Sequence, residues 1–246
     1  MARAFDNGSS QYLEVDSVPT TAVPLSIACW FNSDDDANTQ CLCALLDASS
    51  SNLNYFALQL QGGVAGDPIS ALTSDGAATS SATTTSGYTA GTWHHTLGVW
   101  AAVDSRSAYI DGGGKHTSTA SRTPTGIDRL SIGARRDTGP GQYMSGNIAE
   151  LAVWLAALTD AEALILAEGY SPLFIRPASL AFYLPLVRDE DEDIVGGLSL
   201  TAGRAPTIAA HPRIIYPAPQ ALAHIAAATG ISIPVLYHHY KMLRTA

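Results

Sequence analysis

In Leu25-Ser-Ile-Ala-Cys-Trp-Phe31 apolar residues fall at every second position, so an extended chain puts Leu25, Ile27, Cys29 and Phe31 on one face. Strand-like runs recur at Arg3–Phe5, Tyr12–Val15, Cys41–Leu46, Tyr55–Gln61, Ile69–Ser74, Trp93–Ala101, Ser107–Asp111, Arg129–Ala134, Asn147–Leu155 and Leu180–Leu186, most of them bounded by Gly, Pro, Asn, Asp or Ser. Short strands at such spacing predict an all-β chain. The architecture expected is a two-sheet antiparallel jelly-roll sandwich with one short helix and a C-terminal extension.

The helix is signalled by Thr159-Asp-Ala-Glu162, a capping box in which Thr159 and Glu162 satisfy each other's free backbone amides. It is expected over Asp160–Glu168, ended by Gly169, with Leu164, Ile165 and Leu166 on an apolar side. Between Thr73 and Ala90 the chain is nearly all Ser, Thr, Ala and Gly and reads as a surface loop or weak hairpin. Past Ala205 the pattern changes to His211-Pro-Arg-Ile-Ile-Tyr-Pro217, an Ala-rich stretch and a basic, aromatic ending. We therefore divide the chain into a sandwich, residues 1–204, and an arm, residues 205–246, whose apolar content exceeds that of a free linker. The arm is assigned to subunit or particle contacts through Ile214, Ile215, Tyr216, Leu222, Ile225, Val235, Leu236, Tyr237 and Tyr240. Cutting it off is expected to leave the sandwich folded.

At 246 residues and 46% hydrophobic content the chain can bury a sizeable core. A net charge of −9 argues against a nucleic-acid surface, which needs clustered Lys and Arg to displace counterions. Asp34-Asp35-Asp36 and Asp189-Glu-Asp-Glu-Asp193 read as solvated loops. Cys29, Cys41 and Cys43 are too few for a disulfide framework and read as buried thiols, with Cys41 and Cys43 on one strand face. Neither a signal peptide nor a membrane-spanning apolar run is visible, and no membrane partner is expected.

Several pieces together resemble the laminin-G-like, concanavalin-A-like jelly-roll family: Phe5-Asp-Asn-Gly-Ser-Ser-Gln-Tyr-Leu-Glu-Val15, Leu25–Phe31, Trp93-His-His95, Ala108-Tyr-Ile-Asp-Gly112, Ile132-Gly133, Gly146–Trp154 and Leu158–Glu162. They span roughly the first two-thirds of the chain in the family's order. Leu180–Leu186 and Gly196-Gly-Leu-Ser-Leu-Thr201 look like the strand pair that many relatives carry at the front, so residues 171–204 are expected to hold a permuted closing pair. Compact virus-derived members are similar as well, including a stretch like His211–Pro217. That resemblance implies a non-enzymatic bacteriophage virion protein, a capsid decoration protein on the outer surface that forms homo-oligomers and contacts the major capsid protein or other virion proteins. The alternative it leaves open is a glycan-binding adhesion module of a tail or fibre.

Catalytic motifs are absent from the sequence. Glu14-Val-Asp16 opens the Glu-x-Asp-x-x-Glu pattern of glycosidases on this fold, but Pro19 holds the second glutamate's place. No Gly-x-Ser-x-Gly elbow or phosphate loop occurs. His94 and His95 point to opposite faces of a strand and cannot share one metal. No cofactor is expected; the family resemblance leaves calcium open at loop residues Asp34, Asp35, Asp36, Asp104 and Asp137. For a sugar platform, Tyr88 and Tyr143 are the loop aromatics, whereas Trp30, Trp93, Trp100 and Trp154 fall within strand patterns.

Overall fold

A computed structural model describes residues 2–49, 53–187 and 191–217. The chain runs through β1 (Ala2–Phe5), β2 (Tyr12–Val15), β3 (Leu25–Ser33), β4 (Thr39–Leu46), β5 (Asn54–Gln61), β6 (Pro68–Asp75) and β7 (Thr79–Gly87). It continues with β8 (His94–Ala102), β9 (Ser105–Ile110), β10 (Gly113–Ser118), β11 (Arg129–Ile132), β12 (Gly146–Trp154), α1 (Asp160–Ala167), β13 (Leu180–Leu184), β14 (Thr201–Gly203) and β15 (Thr207–Ala209). One sheet, A, has the order β10-β9-β8-β3-β12-β1-β15, with β13 also on β12; the other, B, has the order β14-β2-β11-β4-β5-β6-β7. The two form an antiparallel jelly-roll sandwich.

Period-two alternation fills the space between the sheets. Leu25, Ile27, Cys29 and Phe31 of β3 meet Leu45, Phe56, Leu58 and Ile69 from sheet B in one continuous core. Trp100 lies in that core, and its indole N–H donates to Thr73 Oγ1 at 2.8 Å, so the one polar group of the ring is satisfied. At the far edges β7 and β10 approach closely: a Cβ on Gly114, whose φ is +56°, would lie 2.3 Å from Ser86 Oγ.

Sheet A carries a second core on its outer face, where Leu97, Val99, Tyr109, Trp154 and Tyr183 are covered by Ala163 and Leu166 of α1 and by Leu173 and Ile175. The capping box is formed: the Thr159 amide donates to Glu162 Oε2 at 2.7 Å and the Glu162 amide to Thr159 Oγ1 at 3.4 Å. The helix ends at Ala167, and Gly169 turns the chain with φ +90°.

Of the two readings of Thr73–Ala90 the hairpin holds, because β7 is an edge strand that needs only small inward side chains such as Ala82. Three expectations are corrected. Gly113–Ser118, absent from the strand-like runs of the sequence, pairs with β9 as β10. Cys41 and Cys43 do not share a face: the register shifts between them, sending Cys43 into the main core and Cys41 to the outer face of sheet B. The second acidic cluster is not simply solvated, since Asp191 pairs with Arg3 at 2.8 Å and Asp193 is buried, accepting amides of Tyr183, Val195 and Gly196.

A second bulge, in β12, centres on Glu150, whose φ is +55°. Here the outer edge of β12 changes partner from β1 to β13. The Glu150 side chain is buried and accepts from Tyr183 Oη at 2.5 Å and Tyr216 Oη at 2.7 Å, with His211 Nε2 3.1 Å away. His211 Nδ1 faces the Pro212 carbonyl at 2.8 Å, so both ring nitrogens lie against oxygen acceptors. Burial and the nearby carboxylate raise both tyrosine hydroxyls well above their ordinary range.

Residues 205–217 thus join the sandwich. β15 adds to β1, and Ile215 exchanges backbone bonds with Gly169 and Ser171. Of the arm contacts expected from sequence, Tyr216 faces inward to Glu150, Ile214 is half-buried and Ile215 is exposed. Leu222, Ile225, Val235, Leu236, Tyr237 and Tyr240 lie outside the described residues.

Candidate functional site

The outer face of sheet B differs in kind from that of sheet A, and the strand register assembles it in cross-strand rows. One row places Glu14, Ser131, Ala44, Ala57, Leu72 and Ser81 side by side. Its middle, Ser131, Ala44 and Ala57, is made of small side chains that are fully buried. Along one flank lie Arg129, Leu46, Tyr55, Ser74 and Thr79; along the other, Cys41, Gln59, Ser70 and Thr83. The second flank is a hydrogen-bonding ladder. Gln59 Nε2 donates to Gln142 Oε1 at 2.6 Å, Ser70 Oγ lies 2.8 Å from Thr83 Oγ1, and Thr83 Oγ1 donates to Ser81 Oγ at 3.3 Å. Gln59 and Ser70 are buried, Thr83 and Gln142 half-buried and Ser81 exposed, so the ladder opens to solvent toward β7.

The segment after β11 folds beside this row. Arg135 and Gly141 exchange backbone bonds at 3.0 and 3.1 Å, closing a small loop, while the Cys41 amide donates to the Gln142 carbonyl at 2.7 Å. Arg135 lies over the Tyr55 ring, 5.6 Å from its centroid, and pairs with Asp137 at 2.7 Å. Arg136 stacks 3.9 Å over Tyr12 and reaches Glu14 at 3.1 Å, and Arg129 pairs with Asp16 at 2.6 Å. The face therefore carries aromatic rings capped by carboxylate-paired arginines and, beside them, a row of amides and hydroxyls that reaches solvent at Thr83, Ser81 and Gln142, groups suited to a polyhydroxylated ligand. It brings together no nucleophile and base. Glu14 and Asp16, the carboxylates of the incomplete glycosidase pattern, are both engaged by arginine.

The other candidates are dispersed. Asp35 closes its own turn, accepting from the Ala37 amide at 2.7 Å and from Asn38 Nδ2 at 2.7 Å. Burial pushes its carboxyl up, but the bonds from Asn38 and Ala37 outweigh burial and hold it below its usual range. Asp137 is committed to Arg135, and Asp104 lies in the turn between β8 and β9. Among the described residues no group of three or more His, Cys, Asp or Glu side chains converges as a metal site. His94 donates from Nδ1 to Asp111 at 2.7 Å and accepts the Thr89 amide at Nε2, whereas His95 packs edge-on against Trp30. The buried thiols are free; burial raises all three, Cys41 to about 12.

Tyr88 does not form a sugar platform. It is buried edge-on against Phe31 with its hydroxyl on the Asp35 carbonyl at 2.8 Å. Tyr143 is half-buried, and so are Trp30 and Trp93, while Trp100 and Trp154 are core residues. Sequence reasoning missed Gln59, Ser70, Thr83 and Gln142. Alternation in β5, β6 and β7 places three of them on the outer side of sheet B, but only the register sets them in one row.

No helix among the described residues is long and apolar enough to cross a membrane. A search of curated proteins finds no match. Among solved structures, a protein of Bacteroides ovatus described as carbohydrate-binding is similar with a TM-score of 0.56 at 18% identity, over 84% of this chain and 61% of that one. The heptameric SAP-like pentraxin of Limulus polyphemus gives a TM-score of 0.50 at 16% identity, over 68% of this chain and 81% of its own. The CBM40 module of the Ruminococcus gnavus IT-sialidase, solved with α2,3-sialyllactose, gives 0.52 at 13% identity, over 60% of this chain and 84% of the module. At such identities the likeness is one of fold. A family model described as the concanavalin A-like lectin/glucanases superfamily, laminin G type, matches residues 7–163, the span from the loop after β1 into α1. The chain belongs to the concanavalin A-like lectin/glucanases superfamily.

Proposed function

We propose that this protein is a non-catalytic carbohydrate-binding module that holds its glycan on the outer face of sheet B. The observation that carries the reading is the row Gln59–Ser70–Thr83, joined to Gln142 and Ser81, which reaches solvent at Thr83, Ser81 and Gln142. Sugars offer vicinal hydroxyls that donate and accept, and amides and hydroxyls in a row answer both roles. The Bacteroides protein described as carbohydrate-binding and the Ruminococcus module solved with sialyllactose share the fold, which makes a glycan the ligand class to test first.

Screening the whole chain against a glycan array identifies the ligand, and calorimetry on Thr83→Ala and Gln142→Ala tests the face. Each hydrogen bond lost is worth about 1 kcal/mol, so each variant is expected to bind roughly fivefold more weakly, and each should remain folded with a somewhat lower melting temperature because Gln59 or Ser70 loses its buried partner. Wild-type affinity in both variants, or no glycan bound at all, overturns the assignment. Because the Asp35 carboxylate is used by its own turn, binding is expected to survive a calcium chelator.

The setting we attach to this module is the surface of a bacteriophage particle, as a tail, fibre or capsid-decorating component. The support for it is the sequence resemblance to compact virus-derived members of the family. Sedimentation of a nuclease-treated lysate, followed by mass spectrometry, tests it: the chain should travel with DNA-protecting particles, and its confinement to the unsedimented fraction would rule out the particle setting while leaving glycan binding intact.

A further inference from the structure

Where α1 gives way to the turn at Pro172–Phe174, an apolar patch lies open on the surface. Tyr170, Phe174 and Ile215 are 36%, 41% and 43% exposed, and they adjoin: the Tyr170 and Phe174 rings stand edge-on at 5.8 Å, and Tyr170 is bridged to Ile215. Of the eight large apolar side chains exposed among the described residues, these three share one spot, so they form a patch rather than the scattered single residues that any surface carries. The backbone beneath is fixed. The Ile215 amide donates to the Gly169 carbonyl at 2.7 Å and the Ser171 amide to the Ile215 carbonyl at 2.9 Å, while Leu173 and Ile175, on either side of Phe174, are buried in the outer core of sheet A. Aromatic rings on a fixed base lose little freedom when covered, and such residues are enriched at interface cores.

Two opposite charges stand at its margin. Glu168 and Arg213 lie two residues before Tyr170 and Ile215 on the two bridged segments, and a Cβ on Gly169 would be 2.9 Å from the Arg213 carbonyl. Both side chains are exposed, and neither makes an ion pair or a hydrogen bond among the described residues. Arg3, Arg129, Arg135, Arg136, Arg176 and Lys115, by contrast, each hold a carboxylate. Glu168 is also poorly placed for its own helix. It is the C-cap of α1, whose last turn holds no basic residue, and a helix end of that kind already carries partial negative charge. Within a single copy this carboxylate gains nothing from its position.

We infer that this patch is a contact between two copies of the chain related by a two-fold axis, with Tyr170, Phe174 and Ile215 at its centre and Glu168 of each copy facing Arg213 of the partner subunit. A two-fold contact brings the same surface to both sides, so it has to be complementary to itself. A patch rimmed by one sign of charge fails that condition. One rimmed by a carboxylate and a guanidinium meets it and forms two ion pairs per contact. Ile215, assigned to subunit contacts from the sequence, has its place here, and Tyr170 and Phe174 join it from the segment after α1. The patch is separate from the ladder on sheet B and does not depend on its function; if that ladder binds glycan, pairing gives one particle two such faces and raises its avidity.

Sedimentation velocity of the full-length protein, from micromolar to sub-millimolar concentration, is expected to show a reversible monomer–dimer equilibrium. Phe174→Glu, at an exposed position, should weaken the dimer about 30-fold, the loss expected of a central interface residue. Glu168→Arg and Arg213→Glu should each weaken it about tenfold by setting like charges face to face. The double variant Glu168→Arg/Arg213→Glu should recover most of the wild-type constant, because the pairs are remade with their signs exchanged. Circular dichroism and thermal melts check that each variant is folded. A monomer at every concentration overturns the inference, and so does a dimer indifferent to Phe174→Glu or one that the double variant fails to restore. Hydroxyl-radical labelling identifies the remaining case: a monomer whose Tyr170 and Phe174 resist labelling assigns the patch to another part of the same chain and overturns the pairing. Glycan affinity per subunit should be unaltered in Phe174→Glu, so failure here and failure of the carbohydrate reading remain distinguishable.

Discussion

The outward faces of the two sheets are built from the same alternation but put to opposite uses. On sheet A, α1, the turns at Pro172–Phe174 and Pro177–Ser179 and the returning chain bury Trp154, Tyr183 and Leu97 in a second core. On sheet B the corresponding positions carry Gln59, Ser70, Thr83 and arginine-paired carboxylates, and no helix among the described residues covers them. Polar groups occur on both faces, but their satisfaction differs. Glu150 on sheet A has its acceptors filled from within the protein, whereas the ladder on sheet B runs outward to an exposed hydroxyl at Ser81. A face whose hydrogen bonds are closed internally contributes to stability, and one that leaves them open can recognise a ligand.

Breaking the closed face should have the largest effect. Glu150→Ala strands two tyrosine hydroxyls and His211 in a buried site, and a loss of about 3–5 kcal/mol is expected from urea unfolding. Glu150→Gln, which keeps one acceptor and the shape, should lose clearly less. Truncation after Ala205, expected from sequence to leave the sandwich folded, should likewise lower the unfolding midpoint, because it strips β15 from β1 and uncovers Glu150. If either variant kept wild-type stability while losing glycan binding, the division of labour between the faces would be wrong.

Acid should sharpen the contrast more gently. Burial, opposed by Asp111, lowers the His95 imidazole from 6.5 to about 4. Between those values the unfolded chain binds a proton that the folded chain refuses, so this contribution to stability is complete above pH 6.5 and is lost as the pH falls to 4. The loss amounts to about 3 kcal/mol. His95→Phe should flatten that part of the stability–pH curve, and an unchanged slope would assign acid sensitivity elsewhere. Smallest is the helix cap: Thr159→Ala should cost about 1 kcal/mol without touching the sheet B face.

How much of this was legible in the sequence depended on whether the signal was local. Leu25–Phe31 and the capping box at Thr159 announce themselves because strand period and cap chemistry need only neighbouring residues. β7 escaped because an edge strand can be built almost wholly from Ser and Thr when one inward alanine suffices. The bulges at Cys41 and Glu150 reverse which side chains point inward, and alternation carries no mark of an inserted residue. Glu150 looks like an ordinary polar strand position until Tyr183, His211 and Tyr216 arrive from far along the chain. The candidate site was hidden for the same reason, since Gln59, Ser70 and Thr83 form a row only once three strands are in register.

The order in which the strands find partners bears on how the protein is made. The runs β4–β7 and β8–β10 are meanders whose neighbours follow one another, so they can pair soon after leaving the ribosome. β1 and β2 cannot. Glu14 waits for Thr201, and Ala2 for Ala209. At bacterial or eukaryotic elongation rates that is a delay of roughly 10–40 s during which the first strands to emerge keep an open edge. The nascent chain is thus expected to be a client of ribosome-associated chaperones, released only when its last strands arrive.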